Sequence, residues 1–275
     1  MEEQNETPAE LYLELLKKCL TRIAFEEPYQ PLQLSSGTIK SKAVKAFQTA
    51  VGRRGLELVW KAPPPSGRDE GRDWPVSAET MIGLKRLDNL QFCVSDVIKR
   101  GIPGDVIETG VWRGGASIFM RAVLRAYGDR TRKVWVADSF QGLPDSSGKY
   151  DADTSNQTWA AGDLAVSASE VRANFARYGL LDDQVQFIEG FFQDTLAEAP
   201  IEQLAVARLD GDLYESTIVA LEALYPKLSV GGYLIIDDYF LENCRHAVED
   251  FRRDNQITEP ITEIDWTGVY WRREA

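Results

Sequence analysis

The stretch Val106-Ile107-Glu108-Thr109-Gly110-Val111-Trp112-Arg113-Gly114-Gly115 constrains the fold more than any other. A short apolar run ends in an acid, passes through a glycine-rich turn, and continues into Ala116-Ser117-Ile118-Phe119-Met120-Arg121-Ala122-Val123-Leu124, whose apolar residues recur at helical spacing. The order is strand, tight turn, helix. Glycine lets such a turn take positive φ and lets a ligand approach the backbone without meeting a Cβ. The first turn of the helix adds unpaired N–H groups. Together these features place a ligand crevice in a doubly wound α/β sheet, although a purely structural strand–helix turn reads the same way from this stretch alone.

The spacing selects the ligand. Dinucleotide folds use G-x-G-x-x-G, whereas this chain has Glu108-x-Gly110-x-x-x-Gly114-Gly115, a poor match to a pyrophosphate site. An acid two residues before the first glycine suits S-adenosylmethionine (SAM), which carries an ammonium group and no phosphate. The net charge of −12 argues against a nucleic-acid partner, because an extended phosphate backbone calls for clustered Lys and Arg. No run reaches the ~20 apolar residues of a membrane span, and Met1-Glu2-Glu3 is unlike a signal peptide, so the expected location is the cytoplasm. Cys19, Cys93 and Cys244 lack the spacing of a disulfide framework or a thiolate metal site and read as small buried hydrophobes.

Around this centre the chain predicts a helix over 10–24 starting near Thr7-Pro8, a loop over 26–38, partial helix over 44–60, and a Pro/Gly-rich lid or linker over 61–75. A helix is predicted over 77–99. Strands follow at 106–108, 133–140, 184–190, 204–210 and 231–238, with helices at 116–124, 167–178, 216–228 and 246–254 between or after them. Residues 141–164 form a long polar excursion suited to covering a cleft, and short runs at 261–264 and 268–271 could close the sheet edge. Strands alternating with helices predict a mostly parallel sheet with helices on both faces. The expected division is 1–76 as an N-terminal helical extension and lid, and 77–275 as the main domain.

Acids stand at the carboxyl ends of these strands, the edge at which open α/β sheets bind ligands. Asp138 ends the second strand, where an acid accepts hydrogen bonds from ribose hydroxyls, or simply caps the following turn. Asp210, Asp237 and Asp238 end two strands expected to be neighbours, with Asp212 just beyond. Three converging carboxylates repel one another and lose hydration, so a cation between them is expected, and an all-oxygen set suits Mg²⁺. A helix cap would account for one such acid but poorly for three. Asp210, at once ligand and neighbour of a bound hydroxyl, is the expected proton acceptor. The single histidine, His246, reads as structural.

Glu108 to Gly115, Ala137-Asp138-Ser139-Phe140-Gln141-Gly142-Leu143-Pro144, Leu209-Asp210-Gly211-Asp212-Leu213-Tyr214-Glu215-Ser216 and Gly231 to Tyr239 resemble the macrocin O-methyltransferase family. Asp73-Trp74-Pro75 and the run from Thr80 to Leu90 share in it. The resemblance implies a Rossmann-like SAM-dependent methyltransferase fold and a SAM- and Mg²⁺-dependent enzyme that methylates a sugar hydroxyl of a glycosylated natural product, commonly as a homodimer or larger homo-oligomer. It implies Asp210, Asp237 and Asp238 as metal ligands. Glu108, Gly110 and Asp138 would hold SAM, with Thr109, Gly114, Ser139 and Met81 beside it and Gly190 and Phe191 near its adenine. A catechol or phenol methyltransferase, a nicotinamide oxidoreductase and a non-catalytic SAM-binding protein are the alternatives.

Overall fold

The computed structural model describes residues 6–25, 29–32, 39–61, 67–145, 153 and 161–274. Helix α1 (Pro8–Leu20) starts at a capping box, in which the Thr7 hydroxyl accepts from Glu10 N and the Glu10 carboxylate accepts from Thr7 N. Strands β1 (Tyr29–Pro31) and β2 (Val59–Lys61) form an antiparallel pair around α2 (Ile39–Gly52). The sequence pattern predicts loop at 29–31 and a second helix starting later than Ile39. A three-residue strand is too short for alternation to reveal it.

The main sheet is seven-stranded in the order β5-β4-β3-β6-β7-β9-β8. Its members are β3 (Asp105–Thr109), β4 (Val134–Asp138), β5 (Val185–Glu189), β6 (Leu204–Leu209), β7 (Leu228–Ile236), β8 (Thr262–Glu263) and β9 (Val269–Arg272). The first five strands in that order pair in parallel, and β9 and β8 close one edge antiparallel. The mostly parallel α/β sheet expected from the sequence is the one observed, closing runs included. Successive side chains enter opposite layers: Val106 joins one apolar cluster and Ile107 the other, and Val134 and Trp135 divide likewise. One layer is closed by α1, α3 (Leu84–Lys99), α4 (Gly115–Ala126) and α5 (Ala168–Arg177), the other by α6 (Phe192–Thr195), α7 (Tyr214–Leu224) and α8 (Glu242–Asp254). Among the described residues no helix is long and apolar enough to cross a membrane.

The helix expected from Ser77 begins only at Leu84, and residues 77–83 are irregular. The carbonyls that would propagate a helix there are already engaged. Arg113 Nη1 donates to Val76 O (3.0 Å) and Ala78 O (2.9 Å), Gly115 N donates to Glu79 O (2.8 Å), and Arg68 Nη2 donates to Met81 O and to Ile82 O (3.1 Å). Tertiary contacts thus override a local helical pattern and carry Thr80 and Met81 to the carboxyl edge of the sheet. The helix expected to run to 228 ends at Leu224, and a 3₁₀ turn at 225–227 leads directly into β7. Most of the 141–164 excursion lies outside the described residues. Its two ends meet through Leu143 N to Asp163 O (3.0 Å) and Gly162 N to Leu143 O (2.9 Å).

Candidate active site

Strand order reverses between β3 and β6, and the carboxyl edge at that point opens into a crevice. The strand ends remain laddered by Gly110 N to Ala137 O, Asp210 N to Thr109 O and Asp237 N to Leu209 O, each 2.9 Å. Gly110 has φ +78°, and a Cβ there would collide with the Asp210 carbonyl, so this approach of backbones requires glycine. Beyond it Trp112 takes φ +48°, a left-handed conformation unusual for a bulky residue. The Asp138 carboxylate secures the turn by accepting from Val111 N (2.8 Å) and Phe140 N (2.7 Å). Burial is the main cause of a raised pKa at Asp138, offset in part by these backbone donors.

Two cavities open from this edge. The first is lined by Met81, Gly110, Asp138, Ser139, Phe191 and Asp210, among others. The second, about 400 Å³, has Glu108, Arg208, Asp237 and Asp238 at its base and Trp74, Phe240 and Trp266 on its walls. Met81, Gly110, Trp112, Leu164, Asp210 and Asp212 line both. Of the residues singled out in the sequence, Glu108 belongs to the second cavity and Thr109, Gly114 and Gly190 line neither. Thr109 is fully buried, while a Cβ on Gly114 would lie 2.7 Å from Val171 Cγ1, so that glycine allows close packing of helix against turn.

Asp210, Asp237 and Asp238 converge, each offering an oxygen within 4.8 Å of the others. The sequence reading missed the arginines among them. Arg208, on β6 and 2% exposed, contacts Glu108 Oε1, Asp210 Oδ2 (2.9 Å) and Asp237 Oδ1 (2.5 Å). Arg86, from α3, contacts Asp237 Oδ2 (2.5 Å) and Asp265 Oδ2 (2.9 Å). The remaining Glu108 oxygen accepts from the Ser117 hydroxyl. Part of the cation that the acids demand is therefore built into the protein. One signal was available: Arg208 is the lone charge in the apolar run Leu204-Ala205-Val206-Ala207-Arg208-Leu209. His246 is half exposed on α8, 3.8 Å from Glu242, and lines neither cavity.

A family model described as Macrocin-O-methyltransferase (TylF) matches residues 9–273. The chain is 51% identical over 273 residues to the 8-demethyl-8-(2,3-dimethoxy-α-L-rhamnosyl)-tetracenomycin-C 4'-O-methyltransferase of Streptomyces olivaceus, covering 98% of this chain and 95% of that protein. This chain belongs to the macrocin O-methyltransferase family. A second relative, the mycinamicin III 3''-O-methyltransferase of Micromonospora griseorubida, is 48% identical, with 98% of each chain covered. Among solved structures, the O-methyltransferase NovP superposes with a TM-score of 0.81 at 46% identity, covering 97% of this chain and all of that one. The O-methyltransferase family and the SAM-methyltransferase type of sheet expected from the sequence are thus both met.

The acid cluster fits the hard divalent cation that the family resemblance implies. Burial pushes Asp237 upward, but Arg208 and Arg86 overcome it and hold that carboxyl below its ordinary range. The acids that do not share both arginines behave oppositely. Burial first, then the negative charges of Asp210, Asp212 and Asp237, push Asp238 well above the carboxylate range. Burial, then Asp210 and Asp237, raise Asp212 to about 8. Burial and Asp237 also raise Asp210. Left to the protein's own charges these carboxyls favour their protonated form, and a divalent cation among them would restore the ionised form; oxygen donors of this kind suit Mg²⁺.

Proposed function

We propose that this protein is a SAM- and Mg²⁺-dependent O-methyltransferase acting on a sugar hydroxyl of a glycosylated natural product, with rhamnosyl acceptors the first class to try. The observation that carries the reading is the junction of two cavities at Asp210 and Asp212, one running to Asp138 and the other floored by carboxylates. Membership of a sugar-methylating family supports it. The first cavity would hold SAM, with the Asp138 carboxylate toward the ribose hydroxyls and Met81 and Phe191 as apolar walls. The second would hold the acceptor. Asp210, Asp237 and Asp238 would hold the metal, which when bound supplies positive charge that lowers the pKa of a neighbouring hydroxyl.

The protein's own groups then have distinct tasks. Arg208 and Arg86 keep Asp237 ionised and fixed. Asp210, about a quarter exposed and shared by both cavities, accepts the hydroxyl proton. The cavity walls align the hydroxyl oxygen with the cofactor cavity, where orientation contributes a large share of the rate. A phenol or catechol acceptor is the second reading, and a substrate panel separates the two. The reading includes a homodimer or larger homo-oligomer, which light scattering tests.

Calorimetry with S-adenosylhomocysteine, with and without Mg²⁺ and with NAD as control, tests the cofactor assignment. Binding of S-adenosylhomocysteine without binding of NAD is expected, and its absence would end the methyltransferase reading. The Asp210→Asn variant should lose turnover while binding S-adenosylhomocysteine within about threefold of the parent. Near-normal turnover would remove Asp210 from its role.

A further inference from the structure

The segment from Val76 to Ile82 holds a conformation that its own sequence does not favour. Its apolar spacing is helical, and Thr80 and Met81 reach the cavities because the residues before them are held open. Two holds come from the glycine-rich turn and the helix after it: Arg113 engages Val76 O and Ala78 O, and Gly115 N donates to Glu79 O. A separate set comes from the end of α1. Glu79 N donates to Leu20 O (3.0 Å), Arg22 Nε donates to Ser77 O (3.3 Å), and Arg22 Nη2 pairs with Glu79 Oε1 (3.0 Å). Leu13, Leu16 and Leu20 bury α1 in the same apolar layer as α4, so these contacts rest on a fixed support. Arg22 stands at φ +61°, a left-handed conformation that costs a non-glycine residue free energy and that its contacts with 77–79 help to hold.

Resting on the reading of the first cavity as the cofactor site, we infer that Arg22 is a positioning residue for that site: its ion pair with Glu79 fixes where Met81 stands, so that the N-terminal helix takes part in cofactor binding from outside the cavity. Glu79 transmits the effect. Its N–H is tied to α1, its carbonyl to α4 and its carboxylate to Arg22, and Met81, two residues further on, lines both cavities. The Glu79 side chain is 3% exposed, and its other cation, Arg177, lies 3.9 Å away on a side chain 62% exposed. Without the Arg22 charge the carboxylate is left buried beside one solvent-screened cation, and turning toward water relieves that cost at the expense of the segment's position. The helical pattern of 77–83 then meets one restraint fewer, and Thr80 and Met81 move with Glu79. Neither Arg22 nor Glu79 lines a cavity, so the action on the cofactor is indirect.

The test is calorimetry of S-adenosylhomocysteine binding to the full chain, parent and variants, read well below each melting temperature, where a loss of stability alone leaves the affinity of the folded protein unchanged. Arg22→Met keeps the side-chain length and removes the charge, and it should weaken binding at least about fivefold. Arg22→Lys keeps a charge within reach of Glu79 and should bind more tightly than Arg22→Met. The double variant Arg22→Met with Glu79→Gln removes the buried charge together with its partner, so its melting temperature should recover toward the parent, while its affinity stays at least about fivefold weaker because the tie from α1 to the Glu79 side chain is still missing. Should Arg22→Met fail to fold, the double variant decides alone. A loss smaller than about fivefold in the variant that decides, an Arg22→Lys protein no better than Arg22→Met, or an affinity that recovers along with the melting temperature would each overturn the positioning role and leave a merely structural ion pair. Failure of the parent to bind S-adenosylhomocysteine would overturn the cofactor reading itself, a result distinct from these.

Discussion

Replacing Arg208 by Met keeps most of the side-chain length and removes the one cation shared by Glu108, Asp210 and Asp237. Two of these partners are buried, Glu108 at 2% and Asp237 at 4% exposed, so water from the cavity can replace only part of the lost contacts. Breaking a buried ion pair from one side costs about 3–5 kcal/mol because it leaves an uncompensated charge. In a chain of 275 residues that corresponds to a melting temperature lower by roughly 6–20 °C. The cost depends on pH in a defined direction. Burial already raises Glu108 to about 7 even with Arg208 in place. Without the arginine, Glu108 and Asp210 rise further, and Asp237 loses the larger of the two influences that hold it low. A carboxyl whose folded pKa lies above its unfolded value contributes no penalty below the unfolded value, destabilises progressively as pH climbs from the unfolded to the folded value, and adds nothing further above it. The deficit of Arg208→Met should therefore be larger near pH 8 than near pH 5.5. Urea unfolding of parent and variant at both pH values, with a chelator and no cofactor, measures it. A deficit under about 1 kcal/mol at pH 8, or one equal at the two pH values, would refute the assignment of Arg208 as the buried counter-charge.

Gly110→Ala places a Cβ against the Asp210 carbonyl at positive φ. It should cost at least about 1–3 kcal/mol from the backbone alone and weaken S-adenosylhomocysteine binding more than tenfold, as read by denaturation and calorimetry. Asp153 caps α7 by accepting from Tyr214 N (2.7 Å) and Glu215 N (2.9 Å). Asp153→Ala should lower stability by about 1–2 kcal/mol, with Asp153→Asn recovering part of it in the same unfolding assay. His246→Ala should change stability by less than about 0.5 kcal/mol and leave turnover unaltered, because the side chain is half exposed and lines neither cavity. A loss of turnover greater than tenfold would reopen the identity of the base.

What could be read from the sequence divides along the range of the interactions involved. The strand from Val106 to Thr109 and helix α4 declare themselves through local periodicity, and the acids at Asp138, Asp210, Asp237 and Asp238 follow once parallel pairing fixes which strand ends share an edge. The segment 77–83 did not declare itself. Its apolar spacing is helical, yet its conformation is decided by Arg68, Arg113 and Gly115, which capture its carbonyls from elsewhere in the fold. The same limit governed the charge balance of the site. Opposite-charge partners separated by 100 residues, as Arg208 is from Glu108, or by 151, as Arg86 is from Asp237, leave no spacing pattern for a local reading to find. A cluster of acids in a sequence thus indicates that a positive charge is required nearby without indicating which group supplies it. Here Arg208 and Arg86 supply it to Asp237, while Asp212 and Asp238, lifted by burial and by their acidic neighbours, keep a charge demand that the arginines leave unmet. That division within one cluster separates Asp237, whose charge the fold itself balances, from Asp212 and Asp238, whose charge it leaves unbalanced.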